Sequence, residues 1–257
     1  MSNSLLFLPP YTPLSVHDLP AWGSWKIAST SGPQIEELRK VVRMSTPALY
    51  DVLHSFQDIH RVIINLGGEL SDEQLRWKPD GYSTSIGFHL WHLARESDYL
   101  KAAILQHYPQ IGPEFGDGVE IWQKESLAQK WGFPQGLHET VGTGLSDEVA
   151  AALPIPPKEE LMDYLHRSYQ AIEAFVESLD SKFSNFDNLD EELRKEIEMI
   201  RLNLLVFLTH DCRHLGMMEC LKGIQTQHVP IHPFTKRAGQ TGFGSATEKR
   251  NPDHSSN

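Results

Sequence analysis

The sequence predicts an all-α protein: an antiparallel four-helix bundle with an extended N-terminal arm and a long loop between helices two and three. Two observations carry this. Four long segments repeat their apolar side chains at steps of three and four, the period of one helix face, and none alternates as a half-buried strand would. Helices with one apolar stripe bury it against each other, and four of them make a bundle.

The elements follow in order. Residues 1–30 carry Pro9, Pro10, Pro13 and Pro20 with little periodicity and read as the arm. A short helix fits 34–45, after which Thr46 and Pro47 supply the cap and first residue of the first bundle helix. Along it Leu49, Val52, Phe56, Ile59, Ile63 and Leu66 form one stripe, and Gly67-Gly68 is expected to stop it. A turn of helix at SDEQL and a loop at Pro79-Asp80-Gly81 lead to the second helix, about 85–106. From Ile111 to Pro157 the chain is dense in Gly, Pro and Trp; so long an irregular connection is uncommon unless it has a task. The third helix, about 158–179, carries Leu161, Leu165, Ile172, Val176 and Leu179. The polar break DSKFSNFDN precedes the fourth, about 190–222, expected to end at Gly223. The two short connections would leave neighbours antiparallel, whereas the long one can cross over the bundle or cap its end. The bundle domain thus spans 31–230, and 231–257, polar and rich in Gly, Ser and Asn, is expected to be a disordered tail.

Composition narrows the function. The chain has 257 residues, 40% of them hydrophobic, enough for a sizeable core. Its formal charge of -11 repels phosphate backbones, so no nucleic-acid partner is expected. Cys212 and Cys220, eight positions apart on a helix, are separated by about 12 Å of rise, too far for an intrachain disulfide. The first fifteen residues lack a basic start, and Pro9 and Pro10 interrupt their apolar run, so no signal peptide is read. No apolar run approaches the roughly 20 residues a membrane span needs. A cytoplasmic protein without a membrane partner is the expectation.

The histidines carry the chemistry. Thirteen are present, and random placement at that density yields roughly 0.6 His-x-x-x-His pairs, so one pair alone proves little. Two occur. His228 and His232 flank Pro230 and cannot form a regular helical pair, whereas His210 and His214 sit inside the fourth helix. Four residues apart, they share one face with Phe207, Met217 and Leu221, and so are expected to point at the core. A metal ion would satisfy both rings; hydrogen bonds to polar neighbours on another helix would also do so. Helix two offers His89 and His92. Ile86, Leu90, Leu93, Leu100 and Ile104 form its main stripe, with His89 nearer the centre. Phe88, His92, Tyr99 and Ala103 form a second, partly apolar side, and spacing alone does not choose between the two histidines.

Residues 75–98 (LRWKPDGYSTSIGFHLWHLARESD) and 208–223 (LTHDCRHLGMMECLKG) resemble the two signature segments of DinB-like (YfiT-type) proteins. In that family helix two gives one histidine just before a Leu/Ile-Ala pair, and the last helix gives His-x-x-x-His followed by Gly. Here His92 precedes Leu93-Ala94, and His214 is followed by Leu215-Gly216. The resemblance implies His92, His210 and His214 as metal ligands, with His89 a lookalike, and a four-helix bundle over about residues 34–225. The segment GVEIWQKESLAQKWG, 118–132, is similar to loop segments in some members.

Three neutral imidazoles leave positions open for water or substrate, and suit one divalent ion among Zn, Ni, Fe(II) and Mn. The resemblance further implies a transferase or isomerase using a low-molecular-weight thiol on a small-molecule substrate. The alternatives are a metal-dependent hydrolase, or a non-catalytic bundle whose metal ties helix two to helix four, including within a homodimer. Glu96, one turn beyond His92, and Asp211, beside His210, are the candidate catalytic acids, orienting an imidazole or moving a proton. The plainer readings are a salt bridge to Arg95 or a lysine for Glu96, and a surface charge for Asp211. Trp122, Trp131 and Phe133 are candidates to roof a pocket. No phosphate-binding loop precedes a helix, and no Gly-x-Ser-x-Gly elbow is present.

Overall fold

The computed structural model of the chain describes residues 48–79, 82–184 and 189–226. The expected arm, the helix at 34–45, the Thr46-Pro47 cap and the polar tail lie outside the described residues, as do parts of the Pro79-Asp80-Gly81 loop and the polar break. Among the described residues no strand occurs.

Four long helices build the body: α1 (Leu49–Glu69), α3 (Ile86–His107), α7 (Lys158–Lys182) and α8 (Glu191–Thr226). The short helix α2 (Asp72–Arg76) joins α1 to α3. The long connection holds the turns α4 (Ile121–Lys124), α5 (Leu127–Lys130) and α6 (Asp147–Ala152). Local signals explain the starts. Ser71, Ser85 and Ser146 each accept a hydrogen bond from the backbone three residues on, capping α2, α3 and α6.

Two glycines act otherwise than as stops. Helix α1 runs through Gly67-Gly68 to Glu69, because a Cβ on Gly67 would lie 2.8 Å from Met162 Sδ and 2.9 Å from Leu90 Cδ1. Gly67 is there to let α7 and α3 approach α1. Gly223 is likewise buried inside α8, which continues to Thr226 and ties to α2 through Gln225 and the Gln74 carbonyl, 2.8 Å.

Two core clusters fix the helix directions. One holds Leu49–Phe56 of α1 with Leu100–Leu105 of α3, Ile172–Leu179 of α7 and Ile197–Leu204 of α8. The other holds Ile63–Leu66, Ile86–Ala94, Leu161–Tyr169 and Met218 of the same four helices. The short-linked pairs α1/α3 and α7/α8 therefore run antiparallel. Helices α3 and α7 run parallel, so the long connection crosses back along the bundle. Packing is closest between α3 and α7 and between α1 and α7, while α8 lies against α1 and α3.

The crossover clamps onto α3. Asp98 accepts hydrogen bonds from the Ile121 and Trp122 backbone nitrogens, both 2.9 Å, and from the Tyr164 hydroxyl at 3.0 Å. Arg95 pairs with Glu120 while its guanidinium sits 4.7 Å over the Trp122 ring. With the connection on its outer side, α3 is buried around its whole circumference from Ile86 to Asp98. Trp122 and Phe133 are buried among Trp91 and Tyr164, and Trp131 packs on Trp122. Trp122 and Phe133 fasten the connection down, while Trp131 lines a surface hollow with Leu127, Glu160 and Arg167, apart from the histidines. No described helix is long and apolar enough to cross a membrane.

Candidate metal centre

On α3, the Ser85 cap sets the first turn, and His89 and His92 follow in the first and second turns. Across from them α8 presents His210 and His214 one turn apart. The centre of the buried line on α8 is Ile200, Leu204, Asp211 and Met218, so the two histidines lie at its margin, half-buried, and Met217 is exposed. Both rings turn inward toward His92, as expected, but from the margin of the core rather than its centre. Part of the surface of His210 and His214 stays exposed there.

The structure brings together the three histidines implied by the resemblance. His210 Nε2 lies 3.1 Å from His92 Nε2 and 3.1 Å from His214 Nε2. One ligand atom from each of the three lies within 4.8 Å of the others. Nitrogens bound at about 2.1 Å to one tetrahedral or octahedral ion sit about 3.0–3.4 Å apart, so this spacing fits.

The far nitrogens decide the tautomers. His92 Nδ1–H donates to the Val141 carbonyl at 2.6 Å, leaving Nε2 as a lone pair facing the cluster. Val141 can reach in because Gly142 follows it with φ of +100°, and a Cβ there would lie 2.9 Å from His92 Nδ1. His214 Nδ1 lies 2.9 Å from His89 Nδ1, and His89 Nε2 lies 3.2 Å from the Thr84 hydroxyl. When His214 donates through Nδ1 to His89, and His89 through Nε2 to Thr84, His214 Nε2 is left as an acceptor facing the cluster. His89 thus stands behind a candidate ligand, closer to the site than a lookalike would be.

Electrostatics favour the neutral rings a metal needs. Burial, aided by the His210 ring, lowers the His89 pKa to about 4. Burial also takes His92 to about 4, against the Val141 hydrogen bond. His214 falls to about 2, through burial and then the neighbouring imidazoles. Neutral rings with Nε2 lone pairs turned toward one point repel one another, and a shared cation removes that cost. The residues present fit a divalent ion.

Of the candidate acids, Glu96 has its Oε1 4.0 Å from His92 Nδ1 and accepts from the Thr143 hydroxyl at 2.6 Å. Burial pushes its carboxyl pKa up. The plainer reading, an ion pair with Arg95 or a lysine, does not appear among the described residues; Arg95 turns to Glu120. Asp211 is no surface charge. It is 2% exposed, with Oδ2 3.3 Å from His60 Nε2 and Oδ1 3.9 Å from His210 Nδ1.

A model of the DinB superfamily matches residues 55–218, well over half of the chain. The chain belongs to the DinB superfamily. Among curated proteins, none matches it. All three converging histidines of this DinB chain, with His60, Glu96 and Gly142, fall inside the matched segment.

Several residues around the DinB site were missed from sequence. His60 sits on the α1 stripe, four residues after Phe56, where Ile59 was expected to be buried and is only half so. That spacing was a usable signal. Val141, Gly142 and Thr143 lie in the connection and carry no periodic signal.

Proposed function

We propose that this DinB-superfamily protein holds one divalent transition-metal ion through His92, His210 and His214 and works as a transferase or isomerase with a low-molecular-weight thiol. The observation that carries the metal part is that His210 Nε2 lies 3.1 Å from both His92 Nε2 and His214 Nε2, with the far nitrogens of His92 and His214 turned to partners behind them. The thiol part is supported by the family likeness and by the half-buried position of His210 and His214, which leaves part of their surface exposed.

When bound, such an ion lowers the pKa of a coordinated thiol or water and so supplies a nucleophile near neutral pH. The chain's own residues do the rest. Val141 and His89 fix two rings, and the crossover keeps bulk water from the back of His92. Glu96, its carboxyl held above the ordinary range by burial, is suited to take up and return a proton beside His92. Asp211 faces the back of His210, where it orients the ring. A hydrolase would use the same groups with water in place of thiol.

Metal analysis of protein purified without an affinity tag tests the first part, with about one equivalent per chain expected. A content near zero after reconstitution with Zn, Ni, Mn and Fe(II) would overturn it. For the second part, cobalt(II)-loaded protein is titrated with 2-mercaptoethanol. A sulfur-to-cobalt charge-transfer band is expected, and an unchanged spectrum leaves a metal protein without thiol chemistry.

A further inference from the structure

Behind His210, three helices meet at an imidazole that the proposed chemistry does not use. His60 of α1 is 1% exposed. Its Nδ1 lies 2.5 Å from Glu173 Oε1 of α7, and its Nε2 3.3 Å from Asp211 Oδ2 of α8. The ring lies flat on Tyr169, with 3.5 Å between centroids and 6° between planes. Asp211 extends the row, its Oδ1 lying 3.9 Å from His210 Nδ1. A line of charge thus runs from Glu173, 23% exposed, to the back of a ring whose front nitrogen belongs to the metal cluster.

So deep an arrangement needs a reason. A buried carboxylate is costly unless paired, and packed apolar side chains of similar volume often stabilise as well or better. Burial works against charge on His60, yet the hydrogen bonds and charges of Asp211 and Glu173 outweigh it and raise its pKa. The two carboxylates thus hold the His60 ring from either side, with its Nε2 edge facing Asp211 inside the bundle. Tautomer logic supplies the purpose. If His210 donates through Nε2, its proton must sit on Nδ1, which then needs an acceptor. For His92 that acceptor is the Val141 carbonyl, and for His214 it is His89. For His210, whose buried Nδ1 makes no hydrogen bond, the group on that side is the Asp211 carboxylate, 3.9 Å away.

We propose that His60 is a positioning residue: clamped by Glu173, it holds the Asp211 carboxylate behind His210 so that His210 presents Nε2 to the ion. This rests on the metal reading given above. The test replaces His60 by Phe, which keeps a ring on Tyr169. Zinc affinity is measured by chelator competition, and the site is inspected through the cobalt(II) absorption spectrum. His60→Phe is expected to bind one zinc about 10–100-fold more weakly and to shift the cobalt bands, as loss of a partner behind a ligand does. Asp211→Asn should act in the same direction.

Val176→Ala, a cavity in the opposite core cluster, separates stability from positioning. It should lower the melting temperature and leave affinity and spectrum at wild type. Should His60→Phe fail to fold, Glu173→Gln at the more exposed end serves instead, with a severalfold loss of zinc affinity expected. Folded His60→Phe, or Glu173→Gln in its place, with wild-type affinity and cobalt spectrum overturns the proposal while the metal reading stands. Wild-type protein that takes up no metal overturns both.

Discussion

Replacing Gly142 by Ala strains the centre from the loop side. At φ of +100° an L side chain is disfavoured, at a cost of order 1–3 kcal/mol. The new Cβ would also lie 2.9 Å from His92 Nδ1 and 3.0 Å from Trp91 Cζ3. Neither neighbour can yield: Trp91 is fully buried, and His92 is tethered to Val141 at 2.6 Å. The loop must back away and stretch that tether, and a buried N–H without its acceptor costs about 1–3 kcal/mol more. Together these give about 2–6 kcal/mol of lost stability. Metal affinity should fall at least about tenfold, since the His92 tautomer is no longer held. Urea unfolding of metal-free protein reads the first effect and chelator competition the second. Gly68→Ala is the control: a Cβ there meets nothing within 4 Å, and helix propensity makes the change neutral or stabilising by up to about 1 kcal/mol. If Gly142→Ala stays within about 0.5 kcal/mol of wild type and keeps its affinity, the close approach does not matter and the reasoning fails.

Three further outcomes are expected. His92→Ala should abolish metal-dependent thermal stabilisation, whereas His89→Ala should keep the stoichiometry and weaken binding about 10–100-fold through His214, as isothermal titration would show. Loss of metal in His89→Ala and not in His92→Ala would reverse their roles. Metal-free protein should stay helical by circular dichroism and melt at lower temperature, because two apolar clusters hold the bundle without the ion; an unfolded apo-protein would contradict this. Finally, His89, His92 and His214 have folded pKa values below the unfolded 6.5, so the unfolded chain binds more protons and metal-free stability falls as pH drops from about 6.5 toward 4. The loss is up to about 1.4 kcal/mol per pH unit for each of the buried pair His89 and His92, offset in part just above pH 4.5 by the raised carboxyls of Glu96 and Glu120. His60 has the opposite sign: its contribution is complete below pH 6.5 and is lost as pH rises through its raised folded value. Urea midpoints should therefore peak near neutrality, and a midpoint that climbs steadily on acidification would refute the assignment.

The long helices were legible because each keeps an apolar stripe that survives packing, and serine caps mark where α2 and α3 begin. The fold class and the family followed from that periodicity and from the two histidine segments. Glycine misled at Gly67, since the missing Cβ that ends a helix also permits close approach within one, and at Gly223, which lies buried inside α8. The choice between His89 and His92 was not readable from the stripe, because the crossover buries α3 all round and removes the contrast between faces. Asp211 and His60 could be joined only once α1, α7 and α8 were seen to meet; a separation of 151 positions has no local trace. Gly142 was hidden for the same reason, its requirement coming from a ring on another element.

The parallel run of α3 beside α7 bears on how the chain reaches this state. Neither short-linked pair packs closely, so a helical hairpin formed early would bury little of its apolar surface. The decisive contacts join residues 66, 113 and 125 positions apart, Asp98 to Tyr164, His60 to Glu173 and His89 to His214. Such distant closures must be made before they are rewarded, which slows nucleation and makes the final collapse concerted. During synthesis α1 and α3 emerge with exposed apolar faces and no adequate partner until α7 follows. Helix α8 comes later still, bringing two of the three histidines, so the donors come together only as the bundle completes itself.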